Sequence, residues 1–525
     1  MKIASSQRQP PLPSQASAIA ATVYAVFAAL FVAGRVGVYG PNHGDVAIWI
    51  PMHEWMSRGA TLYVTVWDNK DWGFFWFSQI FYRLWGIEGL YLFGFLAVVA
   101  LGCGTYLVLR LFATVPLALF LSSTAAMIYV AAPSFWSIFT ENLGIGFLIL
   151  GLGLTMRSPI AGGFVWALAS SVKIAGAGIF LALLGYLVAA SLLSRSESVR
   201  SALRRRSARL FGGFVGGLVL VVLLANLSGS LAGWLEVFDS NREYSQIRGF
   251  PPAGPIHQMP FLAVQGALDD IRSLGQHQFS FMATIALAII GLAVLALASR
   301  RHGNQGVTGG QVGIHAIPEV VVVTVTALVL TLAQRPSPQH WQYFVGPAVL
   351  LMVLLFVQVE WSRKWPGLLA GVLASLLLVS PLIVSVYFDR TMLPRGILDR
   401  GIALTYFAQG GVLGDELSQV EPNSSIAFFG QNDERVNVER LPASSVLSCP
   451  LIVQFYFFSP RYDDVIEDCF REKPDYVVVG TEIWGTDEWR FSLSRLLESE
   501  YVQCAEEEPT RELWVRAGGI CPSVD

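Results

Sequence analysis

The chain has 525 residues, 54% of them hydrophobic and only 14% charged, with a mean hydropathy of +0.53, whereas an ordinary soluble protein is about a quarter charged. That composition excludes a soluble globular enzyme and calls for a protein that lives in the bilayer. A formal net charge of -3 gives no case for a nucleic-acid partner.

The charges are placed unevenly. Residues 1–388 hold 23 basic and 14 acidic side chains, a net of +9, and residues 389–525 hold 12 basic and 24 acidic ones, a net of -12. This step divides the chain into a membrane domain, 1–388, and an acidic C-terminal domain, 389–525.

Taken in chain order, Lys2 and Arg8 precede an apolar run from Ile19 to Ala33 without a clean small-residue cleavage site, which predicts a retained first span. Apolar stretches able to cross about 30 Å of hydrocarbon follow at 89–110, 111–132, 142–156, 210–232, 279–299, 317–334, 342–360 and 366–388. The segment 161–194 is apolar apart from Lys173 and lies between Arg157 and a cluster of arginines at 195, 200, 204, 205, 206 and 209. Positive flanks are cytoplasmic flanks. Two such flanks require an even number of crossings, so the segment is predicted to be a hairpin that turns near Lys173. The resulting fold class is mainly α: a polytopic membrane protein of about eleven spans, with the N-terminus cytoplasmic and a small α/β domain exported at the C-terminus.

The same topology puts the acidic residues Asp45, Glu54, Asp68, Asp71, Glu88, Glu141, Glu236, Asp239, Glu243, Asp269 and Asp270 on the outer side. The outer loop 40–88 is the densest part. From Asp45, the residues Ile48, Met52, Trp55 and Met56 recur at helical spacing, so a helix with one apolar face is expected at the membrane surface. An aspartate at such a helix N-terminus is either a plain cap or a carboxylate held ionised and oriented at the interface. Eight of the fourteen residues from Trp72 to Trp85 are aromatic, which predicts a belt at headgroup level. Just before it stand Asp68, Lys70 and Asp71, able to hold a lipid phosphate through the ammonium while a carboxylate orients it, or to form a solvated turn. Glu141, Lys173 and the pair Arg335 and His340 add charge at span ends, and together they outline an outer cavity. His340 has no second histidine or cysteine at ligand spacing, so no metal site is expected; no cofactor is required, and a divalent cation is left open. The glycine-rich stretch 301–311 follows no strand and lacks a phosphate-loop lysine, so it reads as a linker.

In the C-terminal domain, strands are expected at Ser425–Gly430, Leu451–Phe458 and Tyr476–Gly480, helices near 461–473 and 487–499, and a final hairpin from 501–505 and 512–516. Cys449, Cys469, Cys504 and Cys521 all fall there. An even set suggests two disulfides in an oxidising compartment, with three pairings allowed and free or metal-bound thiols still open.

An aspartate opening an interfacial helix (Asp45), then Gly59 to Tyr63 as G-x-x-L-Y, then Asp68 to Lys70 before the aromatic run resembles the first loop of the GT-C superfamily of polyprenyl-phosphate-sugar-dependent glycosyltransferases. That superfamily includes the protein O-mannosyltransferases and the lipid A aminoarabinose transferase. Glu141, Lys173 and Arg335 to Pro347 follow in matching order, so the likeness spans residues 17–360. It implies an inverting transfer from a polyprenyl-phosphate-linked sugar to an envelope glycan, lipid or protein at the plasma membrane. Asp45 is then the catalytic base, Lys70, Lys173 and Arg335 hold the donor phosphate, and Asp68, Asp71, Glu141 and His340 support them. Many relatives carry an acidic pair at the first motif and Lys-Pro-Pro at the second. This chain has Gly44-Asp45-Val46 and Lys70-Asp71-Trp72, so sugar and acceptor stay open. The competing classes are a lipid-carrier or solute transporter, and a non-catalytic envelope scaffold of the same fold.

Overall fold

The computed structural model describes residues 15–38, 45–68, 70–133, 135, 140–238, 276–302, 311–333, 338–359, 365–388, 418–429, 444–447, 451–452, 469–471, 473–479, 487–507 and 511–522. The membrane part is built from α1 (Gln15–Val38), α2 (Asp45–Ser57), α3 (Trp72–Leu109), α4 (Val115–Val130), α5 (Thr140–Thr155), α6 (Pro159–Val172), α7 (Ala175–Leu193), α8 (Glu197–Leu227), α9 (Gln276–His302), α10 (Gln311–Ala333), α11 (Gln342–Gln358) and α12 (Trp365–Phe388). Among the described residues, six of these helices are long and apolar enough to cross a membrane, and five shorter apolar helices of 10–17 residues accompany them. The predicted hairpin is present: α6 stops at Lys173 and α7 starts two residues later.

Contacts between helix ends sort into two groups, as alternating spans require. At one end, Arg35 of α1 donates to the Val130 carbonyl at the end of α4, and Ser385 of α12 donates to the Ala131 carbonyl. Lys173, Glu141, His340 and Asp71 gather at that same end. At the other end, Arg206 of α8 forms a bidentate pair with Glu319 of α10 at 2.6 and 2.8 Å and reaches the Thr155 carbonyl at the end of α5.

In lipid, helices associate through close backbone approach rather than through a hydrophobic drive between them. The contact of α6 with α8 shows it. A Cβ on Gly163 would run into the Leu210 carbonyl, one on Gly213 into the Ile160 carbonyl, and one on Gly217 into the Ala167 methyl. The same device joins α3 to α5 through Gly104, Gly146 and Gly153.

Two expectations need correction. The aromatic run does not lie flat as a belt before a separate span. It forms the first half of α3, which breaks at Trp85 and Gly86, where Gly86 takes φ 59°. The chain then folds back, so Phe81 and Phe93 meet at a tilt with ring centroids 5.1 Å apart, although twelve residues of straight helix would separate them by about 18 Å. Trp72, Phe74 and Phe75 are consequently buried in protein, while Leu84 and Trp85 at the break are exposed. That aromatic half in turn receives the apolar face of α2. Met52 and Trp55 are buried, and Trp49 meets Phe74 edge-on with centroids 4.7 Å apart. The face expected at the membrane surface is therefore covered by the chain itself.

The C-terminal domain contains β2 (Ser425–Phe429), β3 (Val446–Leu447), β4 (Leu451–Ile452), β5 (Tyr476–Val479), α13 (Asp487–Glu500), β6 (Tyr501–Glu507) and β7 (Arg511–Arg516). Five strands form one sheet in the order β3-β2-β5-β7-β6, parallel from β3 to β5 and antiparallel beyond. The continuous apolar runs of β2 and β5 follow from burial on both faces. Ala427, Phe429, Val477 and Val479 pack with Leu493 and Leu497 of α13, while Ile426, Phe428, Tyr476 and Val478 join the apolar core continuous with the bundle. β4 leaves this sheet and pairs in parallel with a strand of the first loop, β1 (Val66–Trp67). The strands expected at 425 and 476, the helix at 487 and the final hairpin are present; of the strand expected at Leu451–Phe458 only Leu451–Ile452 is described, and most of the helix expected at 461–473 lies outside the described residues. Cys504 is disulfide-bonded to Cys521 and Cys469 is also disulfide-bonded, while Cys449 lies outside the described residues.

The glycine packing predicts a sharp contrast within one helix. Gly213→Val should lower the melting temperature of the detergent-solubilised protein, because overpacking costs about 1–3 kcal/mol. Gly212→Val and Gly216→Val, which meet nothing within 4 Å, should leave it unchanged; equal effects of all three would refute the contact.

Candidate functional site

The segment between α2 and α3 is short and tied down at every turn. Tyr63 adopts φ 64° and donates its hydroxyl to the Lys70 carbonyl at 2.6 Å. Asp68 is buried, and its two carboxylate oxygens accept from the Trp49 indole at 3.0 Å and from the Lys70 amide at 2.9 Å. The second of these is an Asx turn, a local geometry that short acidic side chains favour. It leaves the Lys70 ammonium 6.0 Å from the centre of the Trp49 ring. Asp71 sits at the N-cap of α3 without capping it. Its carboxylate instead crosses to the α6–α7 turn and accepts from the amide of Ile174, the N-cap residue of α7, at 3.0 Å, and from the Trp234 indole at 3.4 Å.

Glu141 opens α5 and is fully buried. A buried carboxylate needs partners, and Glu141 has three: the Lys173 ammonium, the His340 Nε2 at 3.6 Å and the Thr140 hydroxyl at 2.6 Å. Lys173 also lies over the Tyr343 ring, 5.6 Å from its centre. The buried hydroxyls of Tyr129 and Tyr343 have no hydrogen-bond partner among the described residues. They flank the ion pair, where a ligand oxygen would satisfy them.

Asp68, Lys70, Asp71, Glu141, Lys173 and His340, all expected as site residues, thus meet at one end of the bundle. α2 begins at Asp45, as expected, but the Asp45 side chain and the whole of Arg335 lie outside the described residues. Tyr63, Trp49, Trp234, Tyr129 and Tyr343 were not anticipated. Tyr63 stood within the G-x-x-L-Y segment and Tyr343 within Arg335 to Pro347, whereas nothing local marks the other three. Among the described residues, no three His, Cys, Asp or Glu side chains gather as metal ligands.

Two groups of the loop are perturbed in opposite directions. Desolvation in the packed junction pushes the Asp71 carboxyl up to about 6, against the pull of the Ile174 amide, the Trp234 indole and the Lys173 and Lys70 ammoniums. Burial between α2 and α3 lowers His53 to about 4, against the hydrogen bond with Gln79. Tyr63 is pushed up by burial and by Asp71 and Asp68.

No family model matches the chain, and no curated protein matches it. Solved structures do. ArnT from Cupriavidus metallidurans bound to undecaprenyl phosphate superposes with a TM-score of 0.52 at 13% identity, covering 95% of this chain and 98% of that one. The apo state of the same protein gives 0.53 at 13% identity over the same shares. The chain has the fold of ArnT. The archaeal oligosaccharyltransferase AglB from Archaeoglobus fulgidus, in complex with an inhibitory peptide and a dolichol-phosphate, gives 0.46 at 12% identity over 95% of this chain and 74% of that one. Within this fold the charged junction lies beside the first loop, between α3, α5 and the α6–α7 turn.

The Asp71 shift carries a pH signature. A carboxyl raised in the folded state gives stability below its ordinary range near 3.8 that is lost as pH rises through about 6. Asp71→Asn, which keeps an acceptor for the Ile174 amide, should gain melting temperature relative to the parent between about pH 4 and about pH 7. Parallel curves for the two proteins would show that Asp71 is not desolvated.

Proposed function

We propose that this chain is an inverting membrane glycosyltransferase that moves a sugar from a polyprenyl-phosphate carrier to an envelope glycan, lipid or protein on the outer face of the cell membrane. The observation that carries this reading is the meeting of Lys70, Lys173, Asp71 and Glu141 at one end of a bundle with the fold of ArnT, a protein solved with undecaprenyl phosphate. In this reading the N-terminus is cytoplasmic, the membrane domain spans 1–388, and the acidic domain 389–525 is exported alongside the first loop.

Asp45, at the start of α2, takes the proton of the acceptor hydroxyl as its oxygen attacks the anomeric carbon. The bond from that carbon to the phosphate oxygen breaks, and the phosphate leaves with the electron pair. Positive charge placed where the leaving phosphate gains negative charge lowers the barrier. Lys70 is the donor that the first loop itself positions, because the Asx turn at Asp68 fixes its backbone. Lys173 and Arg335 complete the phosphate site, and Asp68, Asp71, Glu141 and His340 hold its frame. The reading draws on no cofactor. A transporter would place ionisable groups near the bilayer midplane. Here the buried pairs Lys173 with Glu141 and Arg206 with Glu319 sit near helix ends.

The test is transfer from radiolabelled polyprenyl-phosphate sugars into envelope fractions by the full-length protein and by Asp45→Asn at matched expression and melting temperature. Loss of the general base should lower transfer by about 100-fold or more. Parental rates in Asp45→Asn would leave Asp45 as a helix cap, and no transfer from any donor would favour a scaffold.

A further inference from the structure

α8 has 31 residues, so at 1.5 Å per residue it is about 46 Å long, against about 30 Å of hydrocarbon. Several turns must therefore project beyond the apolar layer, and the sequence shows at which end. From Phe211 to Leu223 the outward positions are apolar, with Phe211, Val215, Leu218, Val219 and Leu223 exposed. From Glu197 to Arg209 the outward positions are polar or small, and include exposed Arg204, Arg205 and Arg209. Helical spacing puts Arg204 on one stripe with Phe211, Val215 and Leu218, and Arg205 on one stripe with Arg209, Val219 and Leu223. The guanidinium groups thus prolong the lipid-facing surface at the level where hydrocarbon gives way to headgroups.

The inward face of the same turns is different. Leu203, Ser207 and Leu210 are buried in the bundle, and Arg206 is consumed by Glu319. Arg200 is held by Glu197 and the Ser194 carbonyl. Arg205 donates to the Ser201 hydroxyl, whereas Arg195, Arg204 and Arg209 have no ion pair among the described residues. Glu197 is the only acidic residue from Arg195 to Arg209. Immediately before them, Leu192 and Leu193 at the end of α7 are exposed as apolar anchors.

We propose that Arg204, Arg205 and Arg209 form a binding site for anionic phospholipid headgroups, at the end of the bundle opposite the charged junction. Guanidinium matches phosphate oxygens in bidentate geometry, and several basic residues beside a span select anionic over zwitterionic lipid. Continuity with the lipid-facing stripe sets the occupant: a lipid already packed on Phe211 and Val215 has its phosphate beside these arginines, while an acidic soluble protein would need a face turned to water.

Native mass spectrometry of the full-length protein with equal amounts of phosphatidylglycerol and phosphatidylethanolamine tests it. The parent should retain the anionic lipid about fivefold or more over the zwitterionic one, and the triple variant Arg204→Gln, Arg205→Gln, Arg209→Gln should lose that preference at an unchanged melting temperature. Arg206→Gln, which breaks the buried pair, should lower the melting temperature and keep the preference. Should the triple variant unfold, the parent at about 1 M salt, where the Debye length is about 3 Å, gives the same reading by losing its selectivity. Equal retention of both lipids, a preference that survives the triple substitution or high salt, or arginine-dependent capture of an acidic soluble protein without lipid preference would overturn the site.

Discussion

A carboxylate buried to 0% exposure at the mouth of a helix bundle is the constraint from which the rest of this structure follows. Glu141 stays there only because an ammonium and an imidazole nitrogen come to it, since an unpaired buried charge costs several kcal/mol. Lys173 is brought by the α6–α7 turn and His340 by the short helical turn Pro338–Trp341 before α11. Asp71 then ties the start of α3 to that turn through the Ile174 amide. Four elements far apart in sequence are thereby pinned at one level. The pair of Arg206 with Glu319 does the same for α8 and α10 at the opposite end.

That pinning makes the two ends unlike. One carries both signs of charge, with carboxylates and ammoniums alternating beneath indole and phenol rings, and with two buried hydroxyls that nothing described satisfies. Such a place suits a ligand that is itself anionic and polar at one point and apolar elsewhere. The other end carries arginines that run straight on from the lipid-facing surface. The C-terminal domain belongs with the first end, because β4 pairs with β1, one residue before Asp68. That pairing joins the acidic domain by its backbone to the charged loop.

The spans were legible because each must satisfy its own backbone hydrogen bonds in lipid, which forces a long apolar run. Even the hairpin at Lys173 could be read from the sign of its flanks. The domain strands were legible for a related reason, since SIAFF and YVVV are buried on both faces. What stayed hidden depends on partners distant in sequence. Met52 and Trp55 look like a membrane face until the aromatic half of α3 folds back at Gly86 to cover them. Tyr129 and Tyr343 look like ordinary span residues until Glu141 and Lys173 arrive beside them. The two-residue pairing of β1 with β4 has no local signature, because a strand that short carries no period. The candidate residues at the junction were found by charge type and order along the chain; their partners Trp49, Trp234 and Tyr63 required the fold.

The most direct test of the central claim, that this junction receives the carrier phosphate, is the affinity of the purified protein for polyprenyl phosphate in the parent and in Lys70→Gln. Loss of one charge-assisted contact should weaken binding by about tenfold or more, with the melting temperature of the free protein unchanged. Equal affinity of the two proteins would contradict the account and move the phosphate elsewhere in the bundle.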